Sequence, residues 1–308
     1  MVKGLFNKSV EQPFLLVADT KTVVRYVTLK KSIIFVITRS RAKNKITNGM
    51  KRLLLLLATS LLALGSMAQN SIPPLAESSD SDLQARVKAA IEFPLSDKWS
   101  LTWGEQLRLK NSFGKIDKVL SSLTLDYEPW RFLEVGAEYA FVNERKGTDD
   151  WRIKHRINFN VTGKLSIGRF DLSLRERIRF VVRSYDTNEY ETPDPFTSLR
   201  TRLKAAYNTP TRWKPYAYVE LYTTLNAPEV VENYLRDPLD RDNYINRVRV
   251  VLGSEVKLSD KHKMDLHYMI NFNRSYKLGY DSQTGDVEKW ALEKLCAHVI
   301  CVEYKFKL

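Results

Sequence analysis

From Leu83 to Leu308 apolar and polar residues alternate, run after run. Leu83, Ala85, Val87, Ala89, Ile91 and Phe93 make one such run, and Leu133, Val135, Ala137, Tyr139 and Phe141 another. Phe170, Leu172, Leu174, Ile178, Phe180 and Val182 follow the same rhythm, as do Met264, Leu266, Tyr268, Ile270 and Phe272. A period of two places successive side chains on opposite faces of a β-strand. Most runs extend for roughly 10–14 residues, whereas a soluble strand is typically about 5–6 and a tilted membrane strand about 9–11. The pattern predicts an all-β protein, an antiparallel up-and-down transmembrane β-barrel.

The connections support this reading. Pro94–Lys98, Glu128–Pro129, Thr162–Lys164, Asn208–Thr211 and Ser259–Lys261 read as short turns. Asn111–Ile116, Asn143–Asp150, Ser184–Pro195, Asn226–Asn243 and Ser275–Val287 read as longer polar loops. Short turns at one end and long loops at the other are the habit of outer-membrane barrels. Trp99, Trp130 and Trp213 each follow a short turn, where an aromatic girdle at a membrane interface places indoles. Eleven runs are clear, but single-chain bacterial barrels normally have even strand numbers, so 10–12 strands are expected, with twelve favoured. The polar linker 69–82 has room for a hidden strand, and Val287, Trp290, Ala291, Lys294 and Leu295 would share one helical face.

Upstream, Met50-Lys51-Arg52, an apolar run from Leu53 to Leu64 and Ser66-x-Ala68 have the layout of a secretory signal peptide, residues 50–68. Residues 1–49 then read as an upstream extension from a misplaced start. This changes the meaning of the net charge of +13: residues 1–49 account for +8, Lys51 and Arg52 for +2, and residues 69–308 for +3. The basic excess therefore implies no nucleic-acid partner, and no Gly-rich phosphate loop or zinc-ligand spacing adds one. Cys296 and Cys301, placed on one strand, would lie on opposite faces about 16 Å apart, too far for a disulfide.

The polar face carries the charge. Arg175, Arg177, Arg179 and Arg183 share one strand, Arg200, Arg202 and Lys204 the next, Arg152, Lys154 and Arg156 an earlier one, and Arg247 and Arg249 a later one. Glu134, Glu138, Glu220 and Asp265 are acidic partners of the same parity. In a membrane barrel these residues line the lumen; in a soluble lipocalin-like barrel they form the solvated outside, and the apolar face surrounds a ligand. Glu105 and Glu176 fall on the apolar face, where a β-bulge would switch their side.

The C-terminal strand, with Ile300, Val302, Tyr304, Phe306 and Leu308 on one face, resembles the terminal assembly signal of Gram-negative outer-membrane barrels, although the usual last residue is Phe or Trp. Trp99–Lys110, Tyr127–Tyr139 and the hairpin His155–Arg177 are similar to a family of uncharacterised bacterial outer-membrane barrels, a domain of unknown function, over roughly residues 83–308. The resemblance implies fold and outer-membrane location, with membrane lipids and the barrel-assembly machinery as partners. It carries over no catalytic residues.

Asp265-x-His267 resembles superficially the Asp/His pair of omptin-type outer-membrane proteases, but Asp149-Asp150 is adjacent rather than alternating. A hydrolase built on that pair is one alternative function, and the soluble binding barrel is another. No cofactor or metal is expected. The leading expectation is a non-enzymatic barrel: a passive pore whose basic lumen favours small anionic solutes, or a structural membrane protein.

Overall fold

A computed structural model describes residues 24–29, 32–37, 76–147, 150–187, 193–226, 244–280 and 287–308. Met1–Ser66 and Met67–Leu308 are separate units. In the first, β1 (Val24–Leu29) pairs antiparallel with β2 (Ser32–Ile37). The signal peptide read at 50–68 lies outside the described residues.

The second unit is a closed barrel. Its strands are β3 (Ala76–Pro94), β4 (Trp99–Lys110), β5 (Lys115–Trp130), β6 (Leu133–Lys146), β7 (Asp150–Ile167) and β8 (Phe170–Arg183). They continue with β9 (Phe196–Tyr207), β10 (Trp213–Thr224), β11 (Tyr244–Lys257), β12 (His262–Tyr280) and β13 (Val287–Lys307). Neighbours in sequence pair antiparallel around the wall, and β13 closes on β3. Among the described residues the barrel therefore has eleven strands, which corrects the favoured count of twelve. An odd count leaves the first and last strands running the same way, so the closing seam is parallel, from Ala291↔Ala76 to Lys307↔Glu92.

Four local expectations change for related reasons. Ala76–Asp82, read as part of the linker 69–82, belong to β3, because β13 offers them a complete backbone ladder. Val287–Leu295, read as a helical pattern, is the start of β13, paired with β12 on one side and, from Ala291, with β3 on the other. Pairing on both sides overrides a local helical pattern of five residues. The turn expected at Thr162–Lys164 is strand, and the chain reverses instead at Gly168, whose φ of 60° suits glycine. Likewise Glu128–Pro129 are still within β5, which ends at Trp130.

The long apolar side chains point away from the barrel axis: Phe159 is 51 % exposed, Leu203 53 % and Leu252 62 %. Residues of the other parity turn inward, and Asn158 and Glu220 are almost wholly buried. A soluble lipocalin-like barrel would have the opposite arrangement, with its apolar side chains inside. Trp99, Trp130 and Trp213 all lie at the short-turn end, as first or last strand residues, and all are exposed.

Several polar groups on the outward face have local partners. Glu105 and Glu176 stay outward without a bulge beside them. Ser121 Oγ donates to Glu105 at 2.8 Å, and Thr201 Oγ1 donates to Glu176 at 2.7 Å. His155 meets the Tyr139 hydroxyl at 2.7 Å, His262 meets Tyr304 at 2.5 Å, and His298 meets Tyr268.

Candidate functional site

Period two brings one inward residue from each strand to every level of the lumen, so lumen chemistry is set rung by rung. At mid-height the centre is Glu220 of β10, 1 % exposed. Arg200 Nη2 donates to both its oxygens at 2.8 Å, and Arg249 Nη1 donates to Oε2 at 2.8 Å. Arg175 Nη2 reaches Oε1 at 3.2 Å. Three cations on one buried carboxylate leave a net positive cluster. Arg249 also donates to Asn271 Oδ1 at 2.6 Å. One rung above, the Tyr222 ring is flanked by three guanidinium groups, Arg200 at 4.4 Å, Arg249 at 4.9 Å and Arg247 at 5.0 Å from its centroid. Such contacts favour the cations through the ring quadrupole.

Beside this cluster Arg179 donates to Asn158 Oδ1 at 2.9 Å, and Asn158 donates to Glu138 Oε1 at 2.7 Å. Arg177 pairs with Glu138 at 3.4 Å and also donates to Asn160. Nearer the long loops, Glu144 bridges Lys118 and Lys154.

Between Tyr222 and the loop residues Asn111 and Ser112 lies a cavity of about 1180 Å³. Eleven of its lining residues are Arg or Lys and five are Asp or Glu. Lys154, Arg156, Arg179, Arg183, Arg200, Arg247 and Arg249, all expected inward from parity, line it. Arg175, Arg177, Arg202 and Lys204 are inward but do not line it. Arg202 lies over Tyr218 at 5.1 Å, and Lys204 pairs with Glu255 at 2.7 Å. Arg152 sits at the rim against Asp150 and the Tyr185 ring, and Arg183 donates to the Pro193 carbonyl at 2.9 Å. Of the acidic partners, Glu134 pairs with Lys164 at 2.7 Å, away from the cavity. Parity reasoning passed over Arg86, Arg108, Lys118, Glu144 and Tyr222. The signal was present, since Arg86 alternates with Ala85 and Val87, and Arg108 with Leu107 and Leu109.

Toward the short turns the lumen is packed. Tyr216, Val251, Met269, Val299 and Cys301 form a buried apolar cluster there. Tyr216 Oη meets both Asp265 oxygens at 2.8 Å, and His267 Nδ1 meets Asp265 at 2.5 Å. His267 lies opposite Cys301 in the β12–β13 register. Gly253 permits this arrangement: a Cβ there would come within 2.8 Å of the Tyr216 ring and 2.5 Å of His267 Cβ. Asp265 is thus held by both Tyr216 and His267, with Glu255 and Glu303 as its cross-strand neighbours. Cys296 and Cys301 are both free thiols. No group of metal-ligating side chains is present among the described residues.

Comparison with known proteins adds the following. No curated protein matches the chain. Among solved structures, it is similar to OmpT (in-vitro folded), an outer membrane protein of Vibrio cholerae, at 14 % identity and a TM-score of 0.30. That match covers 63 % of this chain and 56 % of the other. Residues 84–277, most of the barrel, match the model of a family described as "Protein of unknown function (DUF2490)", so the chain belongs to this uncharacterised family.

Proposed function

We propose that the chain is an outer-membrane β-barrel of a Gram-negative bacterium whose lumen is a narrow, anion-selecting passage. The observation that carries this is the charge of the cavity lining, where basic side chains outnumber acidic ones by about two to one. Fixed cations in a confined, low-dielectric wall concentrate anionic solutes and repel cations. The outward apolar face and the tryptophans at the short-turn end suit a bilayer. Export through residues 50–68 and recognition of Ile300–Leu308 by the barrel-assembly machinery belong to the same reading.

The test starts from expression beginning at Met50. An outer-membrane band whose gel mobility shifts on boiling is expected, followed by conductance in planar bilayers. In a KCl gradient the reversal potential should favour chloride. Lys154→Ser with Arg179→Ser and Arg247→Ser should move it toward zero, and an unchanged potential would sink the anion-selecting passage. The packed lower lumen favours a second reading, in which the vestibule ends blind and the barrel does not conduct.

A further inference from the structure

Arg86 of β3, Arg108 of β4, Arg156 of β7, Arg179 of β8 and Arg247 of β11 all line the one cavity. Their strands are spread around the barrel, and the Arg247 guanidinium lies 5.0 Å from the centroid of the Tyr222 ring. The barrel wall thus brings five guanidinium groups from five strands to the same space. None of the five forms an ion pair with a carboxylate among the described residues. Glu220 is held by Arg175, Arg200 and Arg249, and Glu144 by Lys118 and Lys154. The Nε atoms of Arg86 and Arg247 are buried without a hydrogen-bond partner.

Five like charges lining one cavity, two of them with a buried Nε that lacks a partner, constitute a site short of an anion. Guanidinium forks match phosphate oxygens two at a time, and convergence from several walls demands a compact ligand carrying several charges. We infer that the cavity binds a compact polyanion bearing two or more phosphoryl groups, held by Arg86, Arg108, Arg156, Arg179 and Arg247. This rests on the reading of the lumen as an anion-attracting space and names what it attracts.

The test is calorimetric titration of inorganic pyrophosphate into the full chain folded in detergent, at fixed ionic strength in chloride. Saturable one-to-one binding, tighter than that of orthophosphate, is expected. Arg86→Ser with Arg108→Ser should weaken it by about tenfold or more. Lys257→Ala, at the short-turn end, should leave it unchanged. If the double serine variant loses its heat-modifiable mobility, Arg86→Lys with Arg108→Lys keeps the charge but loses the forks, and several-fold weaker binding is expected. Absence of saturable binding, or equal affinity in whichever variant folds, would overturn the site. Because binding in detergent needs no conductance, chloride selectivity without pyrophosphate binding would leave the passage standing and remove the site alone.

Discussion

The two halves of the lumen are built by the same strands and differ in almost everything else. On β10, Tyr216 serves the lower half, whereas Tyr222 serves the upper. On β12, Met269 is in the packed cluster and Asn271 lines the cavity; on β13 the same change runs from Val299 to Leu295 and Glu293. Below, Tyr216, Val251, Met269, Val299 and Cys301 are buried against one another as in a soluble core. Above, long charged side chains hold one another apart and leave about 1180 Å³ open. The difference teaches that a barrel's wall and its lumen are separate decisions. The alternation that builds the wall is uniform along each strand, while lumen chemistry depends on which inward residue stands at which height.

Glu220 stands at the boundary between the halves, and removing it should have the largest effect. Glu220→Ala leaves Arg200 and Arg249 buried without their carboxylate, which costs about 3–5 kcal/mol when one partner of a buried pair is lost. Denaturant titration of the barrel in lipid vesicles measures this. A loss below ~1 kcal/mol would mean that the boundary is solvated and the comparison wrong. The packed half is tested by Gly253→Val, whose side chain collides with the Tyr216 ring and His267. Overpacking of this kind costs about 1–3 kcal/mol, and the same titration should find it, whereas an open lower lumen would absorb the valine without loss. The smallest effect belongs to the upper rim. Lys110 pairs with Asp117 at 3.0 Å, both partly exposed. Lys110→Ala should cost less than about 1 kcal/mol, and a larger loss would show that the upper half is also held by its ion pairs.

Much of this was legible in the residues. Parity alone separates Phe159 and Leu203 from Arg179, Glu220 and Arg249, whereas which set faces outward is seen in the structure. The tryptophans mark the short-turn end correctly as a position. Strand ends were less legible. Thr162–Lys164 has turn-forming residues but lies within a ladder, since its partners Leu133 and Leu174 are already in register. The polar segment Ala76–Asp82 gives no strand signal of its own, and it is strand because β13 pairs with it. That pairing also sets the strand number at eleven, against the even-number expectation.

Sequence by itself determined the architecture and the sorting of faces, because period-two alternation is a local property that survives any choice of register. It also determined that Cys296 and Cys301 stay apart, since five residues along one strand separate them. Only the tertiary structure decided which inward residues meet. That one cavity is lined by guanidinium groups from distant strands, and that Tyr216 crosses Gly253 to reach Asp265, depends on strand stagger and barrel closure. Those are non-local quantities: they come from the shear of the whole sheet, and no single strand carries them.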